Sequence, residues 1–202
     1  MTRFARARAV LPSLVLFLCS CGLGFTVIRQ ANPNPMSGKK QFSVAPVDFS
    51  KVQFGNPGRY AEEDYLQKNL KKDKSLDEAR ASLQQGKELF GKSFASGLMY
   101  YGRNKGGFET ATGAIAPDSF VVKAVVTDLE PGFAAAITAA PCVAKATITI
   151  EDSTGKEVDV FEVKGSHVHD SYAFGYDKRV GPCGDPLGAE VGRYLARRIK
   201  AQ

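Results

Sequence analysis

Residues 143–163 read VAKATITIEDSTGKEVDVFEV. Ala144, Ala146, Ile148 and Ile150 alternate with Lys145, Thr147 and Thr149, which is the period of a strand with one dry and one wet face. Asp152-Ser153-Thr154-Gly155 is turn chemistry: a short acidic side chain that bonds its own backbone, then a glycine that tolerates positive φ. Glu157 to Val163 returns as the partner strand. An antiparallel hairpin with one solvated face must pack its other face on a second layer.

The flanking sequence supplies that layer. Phe120 to Asp128 is nearly all β-branched and apolar, as expected of a strand buried on both faces. Asp185 as N-cap and Pro186 at the first helical position open a helix over Leu187 to about Lys200. This helix buries Leu187, Val191, Tyr194, Leu195 and Ile199; Arg193, Arg197, Arg198 and Lys200 read as its solvated face, favoured by the helix dipole near the C-terminus. Farther upstream, the capping box Ser75-x-x-Glu78 starts a long helix. Leu76, Ala79, Leu83, Phe90, Phe94 and Leu98 keep helical spacing along it, and Gly102 stands as its C-terminal cap. Gly86, Gly91 and Gly97 inside it mark close packing or a break. A shorter helix over Tyr60 to Lys71, an edge strand over Gln41 to Phe49 and a polar loop over 103–117 complete the chain. The order strand, helices, strand, hairpin, helix predicts an α+β fold: a small mixed or antiparallel sheet with helices on one face, forming a single domain over residues 41–202.

The N-terminus decides the compartment. Arg3, Arg6 and Arg8 precede an apolar run, Val10 to Leu18, that is too short for a membrane span and is interrupted by Pro12. Residues 1–20 therefore read as a signal peptide. Leu18-Cys19-Ser20-Cys21 resembles the lipobox of bacterial lipoproteins, which implies cleavage before Cys21 and acylation of that cysteine. Two or more acyl chains hold a protein stably at a bilayer. Gly22 follows Cys21, where the family's sorting rule puts aspartate for retention in the inner membrane, so outer-membrane placement is the expectation. Residues 21–40, with Asn32-Pro33-Asn34-Pro35 and Ser37-Gly38-Lys39-Lys40, lack apolar periodicity and read as a flexible tether.

Composition narrows the partners. Loss of the three signal-peptide arginines lowers the formal charge from +6 to +3, which leaves no concentrated basic face for nucleic acid. The hydrophobic fraction of 44% is ordinary for a globular domain. With Cys19 discarded and Cys21 acylated, Cys142 and Cys183 remain, and two thiols in an oxidising compartment form a structural disulfide.

Candidate sites are sparse. Gly86 to Ser93 matches G-x-x-x-x-G-K-[ST], yet an amphipathic helix precedes it where a phosphate-binding loop needs a buried strand. His167-x-His169-Asp170 offers two imidazoles and a carboxylate that can hold zinc or copper given a further ligand; surface histidines beside a loop are the commoner arrangement. Tyr172, Phe174 and Tyr176 alternate and stack three rings on one strand face, suited to hairpin packing or to a ligand or partner. No nucleophile elbow or catalytic constellation is identifiable, and no cofactor is implied.

The hairpin Ile148 to Val158, an apolar strand, D-x-T-G and a second strand, resembles that of bacterial envelope lipoproteins related to the curli-secretion lipoprotein and to auxiliary lipoproteins of transport systems. The resemblance implies a periplasmic α/β domain that works by assembling with an envelope protein partner or with itself; no pore-forming segment accompanies it. The function expected is thus a non-enzymatic binding or assembly module at the membrane, presenting its sheet or the loops 103–117 and 167–184. The alternative is a ligand- or metal-binding lipoprotein.

Overall fold

The computed structural model describes residues 24–55, 59–72, 74–112, 119–134, 139–169 and 173–201. Its strands are β1 (Phe25–Gln30), β2 (Gln41–Val44), β3 (Gln53–Phe54), β4 (Glu109–Thr112), β5 (Phe120–Glu130), β6 (Phe133–Ala134), β7 (Ala139–Ala140), β8 (Cys142–Glu151) and β9 (Glu157–His167). Its helices are α1 (Glu62–Lys68), α2 (Leu76–Tyr101), α3 (Tyr176–Val180) and α4 (Gly184–Lys200). The fold is α+β. Among the described residues one mixed sheet runs in the order β1-β9-β8-β5-β2-β4, with β3 also paired to β5, and β6–β7 forms a separate small hairpin.

The hairpin β8–β9 lies inside this sheet, with Ile148 opposite Phe161. Its turn closes as the side chains dictate. One Asp152 carboxylate oxygen accepts the Thr154 hydroxyl at 2.6 Å, the Thr154 amide at 2.9 Å and the Lys156 amide at 3.1 Å. These bonds, the hydroxyl first, hold the Asp152 carboxyl below the usual carboxylate range, and Gly155 takes φ 83°. Strand β5 runs antiparallel to β8, while β2 and β4 add on parallel. Ala144, Ala146, Ile148, Ile150, Val122, Ala124, Val126 and Phe161 are buried with Leu83, Phe90, Phe94 and Leu98 of α2 and Leu187, Val191 and Leu195 of α4. The wet face carries Lys123, which donates to Glu151, along with Thr147, Thr149 and Lys164.

Helices α2 and α4 approach closely because glycines line their crossing. A Cβ at Gly188 would collide with the Phe94 carbonyl, and one at Gly97 with the Asp185 carbonyl; one at Gly91 would meet nothing. The capping box at Ser75 forms in both directions, Glu78 amide to Ser75 hydroxyl and Ser75 amide to Glu78 carboxylate. Among the described residues no helix is long and apolar enough to cross a membrane.

Several expectations need correction. Gln41 to Phe49 is not an edge strand, since β2 lies between β5 and β4. Strand β5 is not buried on both faces, since Lys123 is exposed. Residues 25–40 are not a tether: β1 pairs antiparallel with β9, and Phe25 packs edge-on against Phe161 and Tyr194. Met36 is buried, Asn34 donates to the Arg198 carbonyl at 2.6 Å, and Gly38 donates to that of Ile199. The domain thus begins well before residue 41. Gly102 stands at the C-cap of α2 as expected but does not end the helical run: it keeps right-handed φ −55°, and a wide turn continues over Gly102–Gly106 to Gly107, which takes φ 73°. The expected loop over 103–117 contains β4, ordered by parallel pairing to β2. Asp185 lies in the first turn of α4 rather than at its cap, because α3 and the turn Gly181–Cys183 lead directly into the helix.

A further correction concerns the basic run of α4. Arg198 is buried, and its Nε donates at 2.7 Å to Asp159, which is 0% exposed. The same carboxylate accepts the Tyr194 hydroxyl at 2.7 Å and the Ala31 amide at 2.8 Å, while an Arg198 Nη donates to the Ala31 carbonyl at 3.0 Å. Burial, followed by the bonded Asp159 carboxylate, pushes the Tyr194 phenol well above its ordinary pKa. The network satisfies both charges in a dry site.

Two stability measurements follow. Gly188→Ala is expected to cost about 1–3 kcal/mol in urea unfolding, whereas Gly91→Ala is neutral or stabilising by up to about 1 kcal/mol; equal effects would refute the crossing as described. Arg198→Met is expected to cost about 3–5 kcal/mol by stranding a buried carboxylate. Adding Asp159→Leu should make the double variant less destabilised than the sum of its parts, and strict additivity would show the pair is uncoupled.

Candidate functional site

A cleft of about 870 Å³ opens between α2 and the β2–β4 side of the sheet. Two periodicities build it. On α2, Lys87, Gly91, Ala95 and Met99 recur every four residues and form one half-buried stripe; Gln84, Glu88, Lys92 and Ser96 form the exposed stripe beside it. On the sheet side, Thr110 and Thr112 share one face of β4 at the strand period. Val44, Ala45, Pro46, Val47 and Phe49 complete an apolar wall where the chain leaves β2. Pro46 has no amide to donate, so regular pairing stops after Val44, although Ala45 and Asp48 still donate to Val122 and Ala124 of β5.

One flank of the cleft is fixed electrostatically. Lys87 pairs with Glu62 of α1 and lies 5.9 Å over Phe49 and 5.8 Å over Phe54. Gly91 leaves the middle of the stripe open, since no atom lies within 4 Å of where its Cβ would be. Apolar walls, small residues and a polar rim suit binding. Among the described residues the lining contains no acid–base pair on opposed walls and no nucleophile beside a histidine.

The pattern Gly86 to Ser93 falls inside α2, far from either end, so its amides are engaged in the helix rather than free for phosphate. Gly86 faces Val180 and the Tyr176 carbonyl, and Lys87 is turned to Glu62.

Of the other sequence-derived sites, none of the described residues lines the cleft. His167 ends β9 opposite Cys142, and His169 is buried two residues on, their ring centroids 5.7 Å apart. Asp170 and Tyr172 lie outside the described residues, as does Cys21. Among the described residues no group of three or more His, Cys, Asp and Glu could hold a metal ion. The aromatic alternation does not form a strand. Phe174 is exposed, with the Lys71 ammonium 5.7 Å from its ring, while Tyr176 is buried at the start of α3 against Tyr65 and under Arg179. The helical run beginning at Tyr176 replaces the period of two. Cys142 and Cys183 form the expected disulfide, with Cα atoms 6.0 Å apart, and pin the start of β8 to the turn leading into α4. The cleft went unrecognised in the sequence because Gly91 reads there as a weak point in a helix, although the spacing of residues 87, 91, 95 and 99 was in plain view.

The disulfide closes a loop with a sequence separation of 41. Cys142→Ala with Cys183→Ala is expected to lower unfolding free energy by about 3 to 4 kcal/mol in the chain-entropy model. Unchanged stability under reducing and non-reducing conditions would rule out a structural role.

Fold and cleft together define an α+β domain: an open mixed sheet with helices packed on it and a cleft at its β2–β4 side. No family model matches the sequence, and no curated protein does. Among solved structures, a point variant of the PelC dodecamer from Paraburkholderia phytofirmans is 14% identical, with 88% of this chain and 99% of that one covered and a TM-score of 0.42. An uncharacterised protein is 13% identical over 85% and 96% at 0.40. A homologue of a neuraminyllactose-binding haemagglutinin from Helicobacter pylori is 7% identical over 81% and 87% at 0.32. Likenesses this distant assign neither a family nor an activity.

Proposed function

We propose that the protein is a lipid-anchored, non-enzymatic module of the bacterial cell envelope that holds an extended segment of a partner protein in the α2/β2–β4 cleft. The observation that carries the binding role is the joint geometry of cleft and edge. Strand β4 pairs with β2 on one side, is the last strand of the sheet path among the described residues, and places Thr110 and Thr112 in the cleft wall. A peptide added along such an edge gains main-chain hydrogen bonds and delivers alternate side chains into the neighbouring cavity. The basic start, short apolar core and Leu18-Cys19-Ser20-Cys21 support the anchor, and the Cys142–Cys183 bond suits an oxidising compartment. Gly22 favours the outer membrane on the lipoprotein sorting rule.

Photo-cross-linking in cells tests the cleft. A benzoyl-phenylalanine at Thr112 or at Ser96 is expected to yield one recurrent envelope protein, absent when the probe replaces Ser153 in the β8–β9 turn and lost on adding Ala95→Arg. No adduct, or an adduct indifferent to probe position and to Ala95→Arg, would overturn the cleft as the recognition site; cross-links to a second copy of the chain would replace the foreign segment by self-assembly. Radiolabelled palmitate is expected in the wild-type chain and not in Cys21→Ala.

A further inference from the structure

We infer that the end of the sheet where the N-terminal chain enters is a bilayer-facing surface, in which Phe133, Val168, Phe174 and Leu70 enter the headgroup region while neighbouring lysines contact anionic lipid. The inference rests on acylation of Cys21. Chain geometry gives its first support. The carbonyl of Gly24 accepts the Lys164 amide at 2.9 Å, and three residues span at most about 10 Å. Gly24, three residues along the sequence from Cys21, therefore stands beside Lys164, in the part of β9 that leads to His167, opposite Cys142.

The surface at that end gives the second support. Phe133 is 53% exposed, Val168 73%, Phe174 49% and Leu70 38%. They sit on adjoining connections. Arg179 ties two of these together, donating to the carbonyl of Gly132, next to Phe133, and to that of Gly175, next to Phe174. Lys71, next to Leu70, reaches over the Phe174 ring. Val168 follows His167, whose partner Cys142 comes directly after the β6–β7 hairpin. From Pro131 to Pro141 the sequence carries no charged residue. Exposed apolar side chains on several loops at one end are costly in water and are the pattern of an interaction surface.

Charge gives the third support and selects the occupant. Lys71, Lys72, Lys74 and Lys178 are exposed around this rim. Bulky apolar side chains ringed by lysines match a membrane interface, where rings and aliphatic groups sit at the headgroup boundary and each nearby cation gains from anionic lipid. The far end carries both signs of charge: there the β8–β9 turn exposes Lys156 and Glu157, and Arg29, which follows the exposed Val27 and Ile28 on β1, pairs with Glu157.

Depth-dependent quenching tests the orientation on the full acylated chain in vesicles of phosphatidylcholine and phosphatidylglycerol. Single cysteines at Phe133, Val168 and Phe174, and at Ser153 as control, carry an environment-sensitive fluorophore, and brominated lipid is the quencher. Quenching is expected to be at least about threefold stronger at the first three positions than at Ser153, and to weaken in the charge-reversed variant Lys71→Glu with Lys72→Glu. Equal quenching at all four positions on vesicle-bound, acylated protein would overturn the orientation while leaving the anchor intact. Absence of acyl groups on Cys21 by intact mass would instead remove the anchor itself, and with it the inference. Strong quenching on pure phosphatidylcholine, indifferent to the lysine changes, would exclude anionic headgroups as the lysines' partner.

Discussion

The carboxylate of Asp159 organises this molecule. It is wholly buried on β9, and it is bonded by three groups that are remote from it in sequence: Arg198 and Tyr194 of α4, and the backbone at Ala31 just beyond β1. A buried carboxylate without these donors would be several kcal/mol worse. The position of α4 over the sheet, the docking of the N-terminal strand and the stacking of Tyr194 on Phe161, with ring centroids 3.8 Å apart, are therefore set together. Loss of any one donor weakens the other contacts, because each relies on the same two oxygen atoms.

Much of the scaffold was legible in the sequence for physical reasons that operate locally. The period of two in β8, the Asp152 turn and the capping box at Ser75 depend on residues within a few positions of one another, so their chemistry can be read without the fold. What escaped reading depends on distant partners. Phe25, Val27 and Arg29 look like the start of a tether until β9 lies beside them, and Arg198 looks like one of several solvated cations until Asp159 is found beneath it. Strand β4 is a short segment whose only argument for being extended is the edge of β2.

The candidate sites divide the same way. Cys142 and Cys183 were expected to pair because a structural disulfide is the commoner use of two thiols without C-x-x-C spacing, and they do. The rings at 172, 174 and 176 could not be placed: alternation is compatible with a strand, yet the helical turn that begins at Tyr176, directly after Gly175, leaves Phe174 outside and carries Tyr176 into the core. The cleft required the register of a helix against a strand edge. Its small residues, Gly91 and Ala95, are conspicuous only once the opposing wall of Val44 to Phe49 is known.

The attachment of the first strand to the last helix has a kinetic side. Ala31 bonds Asp159 across 128 positions and Asn34 bonds Arg198 across 164. Contacts of such separation form late, because the intervening chain must be closed into a loop first. A chain emerging N-terminus first holds β1 without its neighbour until residue 163 has appeared, and without its clamp until residue 198 has. The native domain can therefore close only once residue 198 is available, and until then the N-terminal strand and the Asp159 carboxylate wait for partners that the chain has not yet supplied.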